Sequence, residues 1–194
     1  IDGHSYTAAV DASGNWSVGV PASVVSTLND TGYTITASAK DAAGNPGSAT
    51  HDVTVDTVSP ALTINTVASD DVINAIEKGE ALTVSGTSDG ADGSTVTLTL
   101  NGKEYSIQVS GGVWTLDVPA VDVANLGEAN YTLNASSTDA AGNTGSTTHN
   151  VLVDTSLPSV IINAVAGDDV INAAEAAADQ TLSGRVTNAA EGDT

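Results

Sequence analysis

The chain of 194 residues has no cysteine, no methionine and no phenylalanine, and only four cationic side chains: Lys40, Lys78, Lys103 and Arg185. Without cysteine there is no disulfide and no thiolate metal site. Against those four cations stand 24 acidic residues, for a formal net charge of −20. Such a surface repels nucleic acid and anionic membranes, and it favours cations as partners. Two Trp and four Tyr are the whole aromatic complement, so no exposed aromatic cluster is on offer for stacking a sugar. These residues show no apolar run long enough to cross a membrane and no leader pattern, which means little in a fragment. Because the chain starts in mid-pattern at Ile1, it reads as a fragment. The apolar content is 40%, rich in Val, Leu, Ile and Ala, which argues for folded domains in spite of the charge.

What is present is a repeat. "KDAAGNPGSATHDVTVDTVSP" (40–60) aligns with "TDAAGNTGSTTHNVLVDTSLP" (138–158) at an offset of 98 positions (139 − 41). Asp70 and Asp168, Glu77 and Glu175, Trp16 and Trp114, and Tyr33 and Tyr131 keep that offset; Tyr6 and Tyr105 differ by one more residue. The chain therefore divides into the C-terminal part of a repeat (1–56), a complete repeat (57–154) and the N-terminal part of a further one (155–194). The linkers "VDTVSP" and "VDTSLP" each carry a proline that holds the preceding residue extended. A part-repeat exposes its core face, and one arrangement that would cover it is head-to-tail completion, the tail of one chain finishing the head of the next.

Inside the complete repeat, period-two alternation of apolar and polar residues predicts seven short strands, at 61–67, 81–87, 94–102, 103–109, 113–119, 130–139 and 146–154. Asn101-Gly102 predicts a tight hairpin. Residues 119–130 predict a short helical turn. "LNDTGY" and "LGEANY" place a tyrosine just before a strand, the position of a tyrosine corner. Trp16 and Trp114, on alternating strands, are expected to anchor the core. The resulting fold class is all-β: tandem immunoglobulin-like sandwiches of about 98 residues.

Strand direction then places the acids. The loop "SDDVINAIEKGE" (69–80) follows the first strand and falls at the outgoing end of the repeat; "SDGADGS" (88–94) and "DAAGN" (139–143) fall at the opposite end, beside the incoming linker. In a string of such sandwiches, acidic ends meet with almost no cation nearby. Within a Debye length of about 8 Å they repel, and a hard divalent ion with six to eight oxygen ligands relieves this; Ca2+ accepts such irregular sets. The expected ligands at the first junction are Asp56, Asp89, Asp92 and Asp139. At the second they are Asp70, Asp71, Asn74, Glu77 and Asp154, with Glu191 and Asp193 facing them. Asp168, Asp169, Asn172 and Glu175 would serve a further junction, and Asp41 one before the chain start. Each motif has a plainer reading, Asp70 and Asp71 as helix caps and Asp139 with Gly142-Asn143 as a turn.

"DDVINAAE", "LTVSGT", "VTLTLNG", "DAAGN" and "THxVxVDTxxP" together resemble the bacterial immunoglobulin-like repeats of giant surface adhesins, the biofilm-associated and SiiE-like proteins exported by type I secretion. The resemblance covers the whole chain; around Ala174, "AAAADQ" departs from it. It implies a calcium-stiffened rod of tandem sandwiches, outside the cell and on its surface, that serves attachment to host cells or to other bacteria. A repeat that itself binds a glycan or a host protein is the alternative. Catalysis is not expected: His4, His51 and His149 stand without a nucleophile motif, and the paired carboxylates lie at domain ends.

Overall fold

A computed structural model describes residues 1–189. In the first part, helix α1 (Ala22–Val25) precedes the long antiparallel hairpin β1 (Gly32–Lys40) and β2 (Pro46–Thr54). The complete repeat holds β3 (Val72–Ile73), β4 (Leu82–Thr87), β5 (Thr95–Leu100), β6 (Lys103–Gln108), β7 (Val113–Val118), α2 (Ala120–Ala124), β8 (Ala129–Thr138) and β9 (Thr144–Val153). The last part shows β10 (Ser159–Ile162) paired with β11 (Gly184–Thr187).

Two layers build the complete repeat. One sheet runs β3-β9-β8-β5-β6; the other pairs β4 with β7. Residues 62–65 add to the outer edge of β4, through the Leu62–Ser88 bridge and the bonds Thr63 N–H to Thr87 O (3.0 Å) and Asn65 N–H to Ser85 O (2.8 Å). The period-two pattern does what alternation dictates: Leu82 and Val84 from one layer and Val96, Leu98, Leu133 and Val151 from the other are buried against one another. Trp114 is 1% exposed at the centre, and its indole N–H donates to Thr87 O at 3.2 Å. The Asn101-Gly102 turn has positive φ at both residues and joins Leu100 to Lys103, a two-residue hairpin of the expected kind. The tyrosine corner is present twice: Tyr131 OH accepts from Gly127 N–H (2.8 Å) and Tyr33 OH from Asn29 N–H (2.9 Å).

Two expectations are corrected. The first strand does not run straight from 61 to 67 into a loop. After Val67 the chain kinks through positive φ at Ala68, Ser69 and Asp71 and crosses to the other layer, where Val72-Ile73 pair in parallel with Leu152-Val153. Part of the DDVIN segment is thus a strand, with Ile73 fully buried. Trp16 is not a core anchor here. It is 54% exposed, because residues 1–56 lack the strands that cover its counterpart Trp114. The apolar face of β10 is likewise open, with Ile162 78% exposed.

Candidate functional site

At the outgoing end, the β3–β9 pairing brings Asn74 and Asp154 side by side, and Asp154 N–H donates to Ile73 O at 3.1 Å. Asn74 Oδ1 accepts from the N–H groups of Ile76 (2.9 Å) and Glu77 (3.1 Å), while Glu77 Oε2 accepts from Asn74 N–H (3.1 Å). This reciprocal box closes the short 3₁₀ turn Glu77–Gly79; the cap is Asn74, not Asp70 or Asp71. Asp70 Oδ1 takes Val72 N–H (3.0 Å) and Asp154 Oδ1 takes Ser156 N–H (2.9 Å). Asp70, Glu77 and Asp154 each keep one carboxylate oxygen with no hydrogen-bond donor among the described residues.

Asp71 is committed elsewhere. Its Oδ1 accepts from Val67 N–H (2.7 Å) and lies 2.6 Å from His149 Nε2. The Val67 N–H, then the His149 ring, hold its carboxyl below the ordinary aspartate range. Asp71 therefore pins the crossover between the layers, and its φ of 65° is part of the same kink.

At the leading end the loops meet as strand direction requires. Asn143 Nδ2 donates to Asp56 O (3.1 Å) and to Asp139 Oδ2 (2.9 Å); Ala61 N–H donates to Asp89 Oδ1 (2.6 Å); Gly111 N–H donates to Asp92 Oδ1 (2.8 Å). Asp56 Oδ1 takes Val58 N–H at 3.2 Å. Asp139 spends both oxygens on its own loop, Oδ1 on the N–H groups of Ala141 and Asn143 and Oδ2 on the Asn143 amide. The Asn143 side chain is the main cause that lowers its pKa. Asp41 does the same with Ala43 and Asn45. So does Asp11 with Ser13 and Asn15, a third copy that its spelling D-x-x-G-N could have revealed.

In the last part the pattern of the outgoing end recurs: Asp168 takes Val170 N–H, Asp169 takes Val165 N–H, and Asn172 and Glu175 form the same box. Glu191 and Asp193 lie outside the described residues. Sequence reasoning passed over Asp30 and Glu128, another pair at the 98-residue offset. Asp30 accepts from Thr57 N–H and Oγ1, and Glu128 from Thr155 Oγ1 (2.7 Å) and Ser156 Oγ (3.4 Å).

The donor set suits a hard divalent cation in its chemistry: all oxygen, strongly anionic, and with an oxygen that accepts no hydrogen bond from the described residues on Asp56, Asp70, Glu77, Asp89, Asp92 and Asp154. Among the described residues, however, no three His, Asp or Glu side chains converge into a ready metal group. A full shell would have to be assembled from more than one loop.

Residues 1–57 and 59–155 each match the bacterial Ig-like domain family. The chain belongs to that family. Solved structures extend the likeness of these bacterial Ig-like repeats. A Ca2+-stabilized adhesin that helps an Antarctic bacterium reach out and bind ice is 40% identical over 92% of this chain and 45% of its own, with a TM-score of 0.46. A structure concerned with host cell surface retention of a 1.5-MDa bacterial ice-binding adhesin is 34% identical over 92% of this chain and 60% of its own, at 0.51. A bacterial immunoglobulin-like domain from the M. primoryensis ice-binding adhesin is 41% identical over 50% of this chain and 98% of its own, at 0.39. The chain spans about half the length of the first two. A comparison with curated protein sequences found no match.

Proposed function

We propose that this chain is a run of spacer repeats from a large surface adhesin, stiffened by Ca2+ held where successive sandwiches meet. The observation that carries the reading is the placement of acids at both ends. The parallel β3–β9 pairing delivers Asn74, Glu77 and Asp154 to the outgoing end, and the Asn143–Asp56 bond seats the 139–143 loop on the incoming linker. Asp70, Asn74, Glu77 and Asp154 would supply one side of the junction after the complete repeat, and Glu191 and Asp193, outside the described residues, the other; Asp56, Asp89 and Asp92 would serve the junction before it. Asp41, Asp71 and Asp139 mainly hold their own loops. Support also comes from the family and from relatives that are repeats of large adhesins, one of them described as Ca2+-stabilized. Extracellular display on the cell surface, export by type I secretion, and adhesion to host cells or within a biofilm through the full-length protein belong to the same proposal. So does a structural rather than catalytic role.

Extracellular calcium modules bind with dissociation constants of about 0.1–1 mM. At tenfold excess over that constant, one site adds about 1.4 kcal/mol to the bound arrangement. Small-angle X-ray scattering in millimolar Ca2+ and in chelator tests the reading: the maximum dimension is expected to be larger and better defined with Ca2+, and identical profiles would sink it.

Head-to-tail completion between chains, the tail of one finishing the head of the next, would be a further form of partnering. Direct ligand binding is the second reading. Among the described residues it could draw on a shallow apolar hollow of about 360 Å³ along the open face of β10 and β11 and on a half-open one of about 120 Å³ beside Lys103, Tyr105 and Asp122. The second is below the roughly 300–1,000 Å³ of ordinary ligand pockets, and Asp122 already occupies the Lys103 ammonium (2.6 Å) and the Tyr105 hydroxyl (3.0 Å). A glycan array on this chain separates the two: selective binding would favour this second reading over the spacer.

A further inference from the structure

The linker bonds of Asp30 and Glu128 point to a second stiffening device, one that works without metal. We propose that the acid three residues before each corner tyrosine is a latch that fixes the outgoing linker to the repeat it leaves. The latch appears twice, at different linkers and with different acids. Asp30, the shorter side chain, reaches the backbone N–H of Thr57 as well as its hydroxyl (2.9 Å). Glu128, one methylene longer, reaches the hydroxyls of Thr155 (2.7 Å) and Ser156 (3.4 Å). Each acid sits in the loop whose other end is tied down by the tyrosine corner, through Asn29 N–H to Tyr33 OH and Gly127 N–H to Tyr131 OH. The anchor is therefore fixed to the sandwich before it takes hold of the linker.

The consequence is geometric. Asp56 and Asp154 immediately precede the latched threonines, and each already turns one oxygen onto the linker backbone, at Val58 and Ser156. A latched threonine leaves the neighbouring aspartate little freedom about the chain direction. Asp30 and Glu128 are thus positioning residues: they set the departure angle of the linker, and with it the direction in which Asp56 and Asp154 present their remaining oxygens. This goes beyond the calcium reading and does not require it, because the bonds form between protein groups alone.

The test is ¹⁵N relaxation on the full 194-residue chain in excess chelator. Rigid backbone has an order parameter of about 0.85 and flexible backbone falls below about 0.6. In the parent chain the amides of Ser156 and Leu157 are expected near the rigid value. The Thr155→Val/Ser156→Ala double variant and Glu128→Ala are each expected to drop them to the flexible range, while Thr155→Ser, which keeps the hydroxyl, stays at the parent value. Chemical shifts of β8 and β9 report that the sandwich itself is intact. The proposal is overturned if the parent linker is already flexible in chelator, or if the double variant is as ordered as the parent. It is equally overturned if Glu128→Ala leaves the order unchanged and only weakens Ca2+ binding, which would make the acid a ligand. Loss of the scattering response to Ca2+ with the latch intact would instead count against the calcium reading.

Discussion

Gly86 lies where residues 62–65 pass over β4. A Cβ there would collide with the Thr63 carbonyl and come within 2.7 Å of Cζ2 of the Trp114 ring. Gly184 repeats the collision with the Ile161 carbonyl, and Gly145 meets that of Pro60. Overpacking of this kind costs about 1–3 kcal/mol, so Gly86→Ala is expected to lower the urea midpoint of the complete repeat by that much stability. Gly79→Ala, with nothing within 4 Å of the new Cβ, is the control and is expected to change little. Asp139 carries a pH dependence with a definite sign. Its folded pKa is depressed, chiefly by the Asn143 amide, so the stability it contributes is present above the unfolded value of about 3.9. That stability is lost as pH falls through the lower folded value. Asp139→Asn is expected to flatten the acid limb of a stability–pH curve below about pH 4 and to lower stability at neutral pH. An unaltered acid limb in urea titrations from pH 3 to 7 would remove the loop-closing role assigned to this carboxylate.

At the scale of elements, the short-range signals were the readable ones. The Asn101-Gly102 hairpin, the helical turn now seen at Ala120–Ala124 and both tyrosine corners stand where the sequence places them, since each depends on residues only a few positions apart. The crossover at 68–73 was not readable. It rests on Asp71 meeting His149, 78 residues away, and on a parallel pairing with β9. The two tryptophans show the same limit, being identical in local pattern and opposite in burial. Trp114→Ala is expected to destabilise the complete repeat by about 3–5 kcal/mol, the range for loss of a large core side chain. Trp16→Ala is expected to leave the same urea transition in place. Equal effects of the two would mean that the first part is covered in solution.

For the whole molecule, charge acts at the ends. With a net charge of −20 and no divalent cation, the acids flanking each linker repel one another. Raising ionic strength from about 0.01 M to 0.15 M cuts the Debye length from about 30 Å to about 8 Å. In chelator, the radius of gyration from scattering is therefore expected to fall with added NaCl. On the proposed calcium reading, the same addition in saturating Ca2+ is expected to do much less, because cations held at the junction would already neutralise it. A radius of gyration in chelator that ignores salt would show that end-to-end repulsion does not shape the chain.

Sequence alone determined the period, the alternating strands, the turn chemistry and the collection of carboxylates at both ends of a sandwich. All of these follow from patterns within a strand and its turn, or from copying at a constant offset. Only the tertiary structure decided what each carboxylate is free to do. Asp139 and Asp41 close their own loops, Asp71 is taken by Val67 and His149, and Asp30 and Glu128 hold the linkers. Asp70, Glu77 and Asp154 keep an oxygen to offer. The physical reason is that a carboxylate oxygen is committed by whichever N–H or O–H group the fold brings within about 3 Å, and that group often comes from a distant part of the chain.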